Sequence, residues 1–476
     1  MDLAKLAASP KVPTIDCALV VTRRAHREVL LVGSEMEYRL PSLEIPRWER
    51  PAPHINDNVK RFWGIESVCL FAASAACGSG SEGARRCYVL EARAFGPASR
   101  DDSTWISVGD LRSSCATVVK DAPVLISALD EVQAYETNEC ACHFVRSGWF
   151  EEVTAWVSEQ VSHHGGCLSG HWAQFTMGPD FALIRFETTG SAVWFKAAGG
   201  RRTMEYATTL ALAEMASPYL PELIGDSAEW QSWLMVDAGG CRLEESDHLR
   251  AWTTAASSLA ALQIDSVNSI ERLIAAGCHD CRASELERMI DPFIAEVARL
   301  MAAQPHSPPQ ILTDKELRTV AACLHEGCAL LESLPILPCL GHGDLNTGNI
   351  IVDENKAVFL DWAAGMVGHP FFSCEYLLAL FRRLHPERAA WASAICSAYL
   401  LPWRRICSGD AIEKSLARTP LVAPFAWALR LWETASRTRG TEAYTARLLR
   451  SVARRIHGEA SLLAGKGSLS ICEERR

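Results

Sequence analysis

No stretch of the 476 residues approaches the ~18 uninterrupted apolar positions of a membrane-spanning helix, and the opening MDLAKLAASPKVPTIDC lacks the apolar core of a signal peptide. Membrane insertion and export are therefore not expected, and the expected compartment is the cytoplasm. Positive charge is not in excess: 47 Lys and Arg stand against 57 Asp and Glu, a formal net charge of −10. That balance disfavours a nucleic-acid partner held by general electrostatics and suits cationic small molecules better. The composition of a disordered chain is also missing, since 49% of residues are hydrophobic and 22% charged. No internal repeat is visible. At ~150 residues per domain the length points to two or three domains.

Cysteine is not scarce: there are 18, expected as reduced thiols packing like small hydrophobes. Two groupings have the residue types of a zinc site, Cys140-Ala141-Cys142-His143 and Cys278-His279-Asp280-Cys281. A tetrahedral site would need both. Their long separation and the C-x-C spacing of the first weigh against it.

The first part of the chain reads as strand-rich. CALVVT (17–22) and EVLLVG (28–33) form a hairpin pattern, and SVCLFAA (67–73) and RCYVLEARAF (86–95) are further strands. Residues 1–135 are therefore expected to form an α/β domain. Its order of strands followed by LPSLEIPRWERPAPHINDNVKRFWGI resembles the Nudix fold, in which that stretch carries the catalytic helix and a glycine-closed turn. The resemblance implies glutamates to hold magnesium, whereas the chain reads Val59-Lys60-Arg61-Phe62-Trp63-Gly64. Two cations stand at the ligand positions, so a Nudix-like domain here is expected to be degenerate, a scaffold, sensor or interface.

Phe150, Val153, Trp156, Val157 and Val161 recur at helical spacing in SGWFEEVTAWVSEQVSHH. Strands then lead to Val193-Trp194-Phe195-Lys196 and to a helix from about Thr203 to Ala216. Helical patterns dominate 245–335 and the chain after 370. TEAYTARLLRSVARRIH places Tyr444, Leu448, Val452 and Ile456 on one face, as a helix packed on the others would.

The densest chemistry lies in CLGHGDLNTGNIIVDENKAVFLDWAAG, residues 339–365. NIIV and AVFL flank the turn DENK. Centring that turn on 353–356 pairs Val352 with Ala357, Ile350 with Phe359 and Asn349 with Leu360. Asn349 and Asp361 then sit side by side at the open end of the hairpin, about 5 Å apart. A neutral and an anionic oxygen donor together suit a hard cation, and magnesium is the natural candidate. Asp344, in the Gly- and Asn-rich loop before the hairpin, can face the same space. A carboxylate there can take the proton of a hydroxyl attacking a phosphate.

The order His342-Gly343-Asp344-Leu345-Asn346-Thr347-Gly348-Asn349, then Asp361-Trp362-Ala363, follows the catalytic-loop and D-F-G pattern of protein kinases with Gly in place of their Arg. In that form residues 341–372 resemble the aminoglycoside phosphotransferase and choline kinase family, and the resemblance extends over about 147–435. It implies a bilobal, protein-kinase-like α+β fold: a nucleotide-binding lobe over 147–240, a mainly helical lobe with the catalytic loop and substrate pocket over 241–460, and a flexible tail over 461–476. It also implies an ATP- or GTP- and magnesium-dependent kinase acting on a small hydroxylated acceptor. Asp344 carries over as the base, Asn349 and Asp361 as metal ligands, and Lys196 as the phosphate lysine braced by Glu205, with Glu214 as the fallback. The backbone of Met235, Val236 and Asp237 carries over as the adenine contact. His342 is read as a structural histidine orienting the loop.

Two departures follow. The turn Gly165-Gly166-Cys167-Leu168-Ser169-Gly170, expected over the phosphates, is not the G-x-G-x-x-G of protein kinases, and Ser373 stands where many relatives have a structural Asp. A ligand-binding pseudokinase is the alternative, and the intact Lys196, Asp344, Asn349 and Asp361 argue against it.

Overall fold

The computed structural model describes residues 13–23, 27–34, 37–74, 85–93, 102–115, 119–138, 142–179, 181–198, 203–436 and 442–466. The chain divides into two compact units, Met1–Tyr206 with Glu222–Asp237, and Ala207–Pro221 with Ala238–Arg476. It is an α+β protein.

The first unit holds two sheets. β1 (Thr14–Arg23), β2 (Glu28–Ser34), β3 (Glu37–Arg39), β4 (Ser42–Pro46), β5 (Ser67–Ala72), β6 (Arg86–Ala92) and β7 (Ser103–Ser107) form a seven-stranded sheet in the order β3-β2-β1-β6-β5, with β4 on β1 and β7 on β2. β1 is antiparallel to β2 and β4 but parallel to β6. CALVV can be apolar at every position because β1 is covered on both faces. Cys17, Leu19 and Val21 face the cluster containing Ala52, Ile55, Val59 and Trp63 of α1 (Pro51–Trp63). Gly64 closes α1 in the left-handed conformation, and Lys60 and Arg61 lie in its last turn.

Ala18 and Val20 point to the other face, where α2 (Val108–Asp110) and α3 (Ala122–Thr137) follow in the chain. Next come α4 (Trp149–His163), then β8 (Leu168–Thr176), β9 (Phe181–Thr188) and β10 (Val193–Ala198), α5 (Thr203–Ala213), and β11 (Leu223–Ser227) and β12 (Ser232–Val236). The five strands form an antiparallel sheet in the order β11-β12-β10-β9-β8. One hydrophobic cluster joins Ala18 and Val20 to Phe150, Val153, Val157 and Val161 of α4 and to Ile184, Phe186, Phe195 and Leu234 of the second sheet. The two sheets of this unit therefore share a core.

A buried side chain also links them. β5 ends the seven-stranded sheet, so among the described residues no strand pairs with its outer edge. Gln174 of β8 fills that role at Cys69: its Oε1 accepts the Cys69 N–H at 2.9 Å and its Nε2 donates to the Cys69 carbonyl at 2.8 Å. Asn56 of α1 donates to the same Oε1 at 3.1 Å.

In the second unit, β13 (Cys241–Arg242), α6 (Leu249–Ser266), α7 (Ile270–Ala275), β14 (His279–Cys281), α8 (Ala283–Ala302) and α9 (Asp314–Ser333) precede β15 (Cys339–His342). The hairpin β16 (Ile350–Val352) and β17 (Ala357–Phe359) pairs with β13, and β18 (Gly365–Gly368) lies between β14 and β15. α10 (Phe371–Leu384), α11 (Trp391–Trp403), α12 (Gly409–Ser436) and α13 (Glu442–Lys466) complete the unit. One core surrounds Trp252, Phe359, Phe371 and Tyr399, and a second surrounds Phe293, Leu324, Phe425 and Ile456.

α13 differs from expectation in two ways. Its buried residues are Leu449, Ala453, Ile456 and Ala460, so of the expected face Ile456 is buried and Val452 partly so, whereas Tyr444 is 61% exposed. It also runs to Lys466 instead of giving way to a tail at 461, since Ala460 is still anchored in the core. Residues 467–476 lie outside the described residues.

Candidate functional site

Lys196 sits on β10, the central strand of the five-stranded sheet, opposite Trp233 of β12, with its Nζ 5.7 Å from that ring. Its ammonium pairs with the carboxylate of Glu205 in the first turn of α5. Both residues are buried, Lys196 at 6% and Glu205 at 2% exposure. A buried lysine needs such a partner, because an uncompensated charge in the interior is costly. Glu214, the fallback, is engaged elsewhere, with Arg272.

Met235 and Val236 end β12. The Val236 N–H donates to the Glu222 carbonyl at 2.9 Å and the Asp237 N–H to the Ala192 carbonyl at 2.8 Å, so both donors are committed within the fold. The Asp237 carboxylate acts as a brace, accepting from Trp194 Nε1 at 2.8 Å and Arg185 Nε at 3.3 Å. The glycine-rich stretch 165–170 is not a hairpin turn: Gly165, at φ 79°, follows the end of α4, and Leu168 to Gly170 belong to β8. The chain turns from β8 to β9 at Met177, Gly178 and Pro179, with Gly178 at φ 113°.

In the second unit the hairpin has the expected register, Ile350 opposite Phe359 and Val352 opposite Ala357, and the Leu360 N–H donates to the Asn349 carbonyl at 2.9 Å. Asn349 and Asp361 thus flank the open end. Asn349 Nδ2 donates to the Asp344 carbonyl at 3.0 Å. That bond commits the nitrogen end of the amide and leaves Oδ1 as the end able to ligate a cation. Asp361 adopts φ 64°, ψ 69°, a left-handed conformation that Asp tolerates better than most residues and that is a frequent mark of functional loops. An amide oxygen and a carboxylate fit a hard, partly hydrated cation such as magnesium.

Asp344 projects from the loop between β15 and the hairpin. His342, 1% exposed, organises this loop. Its Nδ1 accepts the Asp344 N–H at 3.2 Å, and its Nε2 lies 2.8 Å from the Leu360 carbonyl. A backbone N–H can only donate and a carbonyl only accept, so the neutral ring carries its proton on Nε2. Burial lowers the His342 pKa, which keeps the ring neutral. One imidazole therefore ties the base loop to the residue before Asp361. Gly343 is required by close approach: a Cβ there would lie 2.2 Å from the Ala364 carbonyl oxygen.

Sequence reasoning missed the first of two further residues that reach this loop. Arg430 of α12 donates from Nη2 to the Gly343 carbonyl at 3.1 Å. Glu244, after β13, accepts from Thr347 Oγ1 at 3.4 Å beside Gly348. Glu244 also pairs with Arg242 at 3.5 Å, and among other acidic residues of this unit Asp247 pairs with Arg388, Asp280 with Arg282 and Glu375 with Arg455. Glu245 accepts the Arg242 N–H. Ser373 is buried at the start of α10, against Gly341.

Burial raises the thiol pKa of Cys278 to about 11 and of Cys281 to about 12, and the two pack in different hydrophobic clusters. Cys140 lies outside the described residues. Among the described residues no group of three or more His, Cys, Asp or Glu is placed to hold a metal ion. Nor, among them, is any helix long and apolar enough to cross a membrane.

Residues 205–407 match the model of the phosphotransferase enzyme family (APH), so the family resemblance seen in the catalytic-loop motif holds for that part of the chain. No curated protein matches. Among solved structures, the macrolide 2'-phosphotransferase MphH of Brachybacterium faecium is 18% identical, covering 62% of this chain and 97% of that one at a TM-score of 0.44. A choline kinase of Cryptosporidium parvum is 12% identical, covering 67% of this chain and 98% of that one at a TM-score of 0.45. The choline kinase LicA of Streptococcus pneumoniae is 14% identical, covering 64% and 98% at a TM-score of 0.39.

Proposed function

We propose that this protein is a magnesium- and ATP-dependent phosphotransferase, with GTP as the alternative donor, that phosphorylates a hydroxyl of a small molecule. The observation that carries the reading is local: Asp344, Asn349 and Asp361 are joined through His342, the Asn349 side chain and the open end of one hairpin. Phosphoryl transfer needs little covalent chemistry from the protein and much positioning.

In this reading Asp344 accepts the proton of the acceptor hydroxyl as its oxygen bonds to the γ-phosphorus. The bond from that phosphorus to the β–γ bridging oxygen breaks, and the nucleoside diphosphate leaves with the electron pair. Asn349 Oδ1 and the Asp361 carboxylate would hold magnesium, which offsets charge on the phosphates. Lys196, kept in place by Glu205, binds phosphate oxygens, and the adenine ring of the nucleotide would lie along the Met235–Asp237 segment. A purely binding role is less economical, since each of these groups is retained. The acidic balance of the chain favours a cationic or neutral acceptor over an anionic one.

The test is a panel of hydroxylated metabolites and antibiotics assayed by ADP release with magnesium and ATP, alongside thermal shift with the same nucleotide. Acceptor-dependent ADP release supports the kinase. Stabilisation by nucleotide with no turnover on any acceptor supports a binder instead.

A further inference from the structure

The peptide unit that precedes the proposed base is held at both ends. Its N–H, belonging to Asp344, donates to His342 Nδ1 at 3.2 Å, and its C=O, belonging to Gly343, accepts from Arg430 Nη2 at 3.1 Å. A peptide is planar, so fixing both ends fixes the plane from which the Asp344 side chain departs.

The helix that carries Arg430 is anchored close by. Trp427, three residues earlier on the same face of α12, stands edge-on to Tyr376 of α10 with ring centroids 4.8 Å apart. A Cβ at Gly343 would lie 3.0 Å from Arg430 Nε and 3.2 Å from its Cδ. The loop has no side chain before Asp344, and the guanidinium enters that space from a residue 87 positions further along the chain. Burial pulls the Arg430 pKa down while the Asp344 carboxylate pushes it up. The guanidinium nevertheless stays charged at any ordinary pH.

We propose that Arg430 is a positioning residue that, with His342, clamps the Gly343–Asp344 peptide and so aims the Asp344 carboxylate. The role rests on the kinase reading above, but the clamp itself does not. A catalytic group tolerates misplacement of only about half an ångström before efficiency falls. Arg430→Ala should therefore lower kcat by roughly 10- to 100-fold while KM for ATP stays within about twofold. Methylguanidine added to Arg430→Ala should restore part of kcat by re-entering the vacated space. Arg430→Lys, which keeps the charge but not the forked donor, should fall between the two.

The deciding measurement needs no turnover. Hydrogen exchange followed by mass spectrometry should show the segment 341–349 exchanging at least about tenfold faster in Arg430→Ala, and also faster in Arg430→Lys, while 350–359 is unchanged; tenfold corresponds to loss of about 1.4 kcal/mol of local protection. Unchanged exchange at 341–349 in both variants would overturn the clamp. Faster exchange with unaltered kcat, or a parallel change of kcat and KM without rescue, would overturn the positioning role. If Asp344→Asn instead released ADP as fast as the unaltered protein, the kinase reading would fall while the exchange result still decided the clamp.

Discussion

Replacing Gln174 with Ala should loosen the first unit by an amount that its contacts fix. Gln174 is 2% exposed, and its amide serves three partners: the N–H and carbonyl of Cys69 and the side chain of Asn56. Cys69 is fully buried, so water cannot readily replace the lost partners. Leaving a buried backbone donor or acceptor unsatisfied costs about 1–3 kcal/mol. Two such groups, softened by partial relaxation, put the loss at about 2–4 kcal/mol. For a unit of this size that corresponds to roughly 4–16 °C in Tm. Urea unfolding followed by tryptophan fluorescence should show a lower midpoint with an unchanged slope. Because both sheets share a core, signals from Trp63 and Trp233 should move together. A loss below about 0.5 kcal/mol, or separate transitions for the two sheets, would refute the reasoning.

Other consequences are equally direct. Lys196→Met removes the cation paired with the buried Glu205 carboxylate and should cost about 3–5 kcal/mol, with much of it recovered in Lys196→Met/Glu205→Gln; urea midpoints of the three proteins check this. Asp361→Asn removes the anionic donor and should abolish the magnesium-dependent part of the nucleotide thermal shift while leaving the metal-free melting temperature within a few degrees. His369 is buried, its Nδ1 accepts the Phe371 N–H, and burial lowers its pKa to about 3. The unfolded state, with the ordinary pKa of about 6.5, binds more protons below that value. Stability should therefore be full above about pH 6.5 and fall by up to about 1.4 kcal/mol per pH unit as the pH drops from there towards 3, and His369→Gln should flatten that slope.

What was legible in the sequence was short-range. The register of β16 and β17 followed from one four-residue turn, and with it the pairing of Asn349 with Leu360. Lys196 and Glu205 were legible because a strand end and the next helix lie close along the chain. What escaped was long-range or carried by a side chain imitating backbone. Nothing near Gly343 announces Arg430, and the Gln174 clamp spans 105 positions. The parallel pairing of β1 with β6 needs the chain to cross over between them, which strand patterns do not reveal. Gly165 to Gly170 misled because glycine density marks both helix ends and phosphate turns. Here Gly165 follows a helix end, and the hairpin turn contains the lone Gly178.

The central claim is that Asp344 is the base of a phosphotransfer. Its most direct test is the steady-state rate of ADP release by Asp344→Asn, with magnesium, ATP and whichever acceptor the panel identifies, alongside the nucleotide-induced thermal shift of the same variant. The account predicts a kcat lower by roughly 10²- to 10⁴-fold with the thermal shift retained. Turnover within a few-fold of the unaltered protein would contradict it.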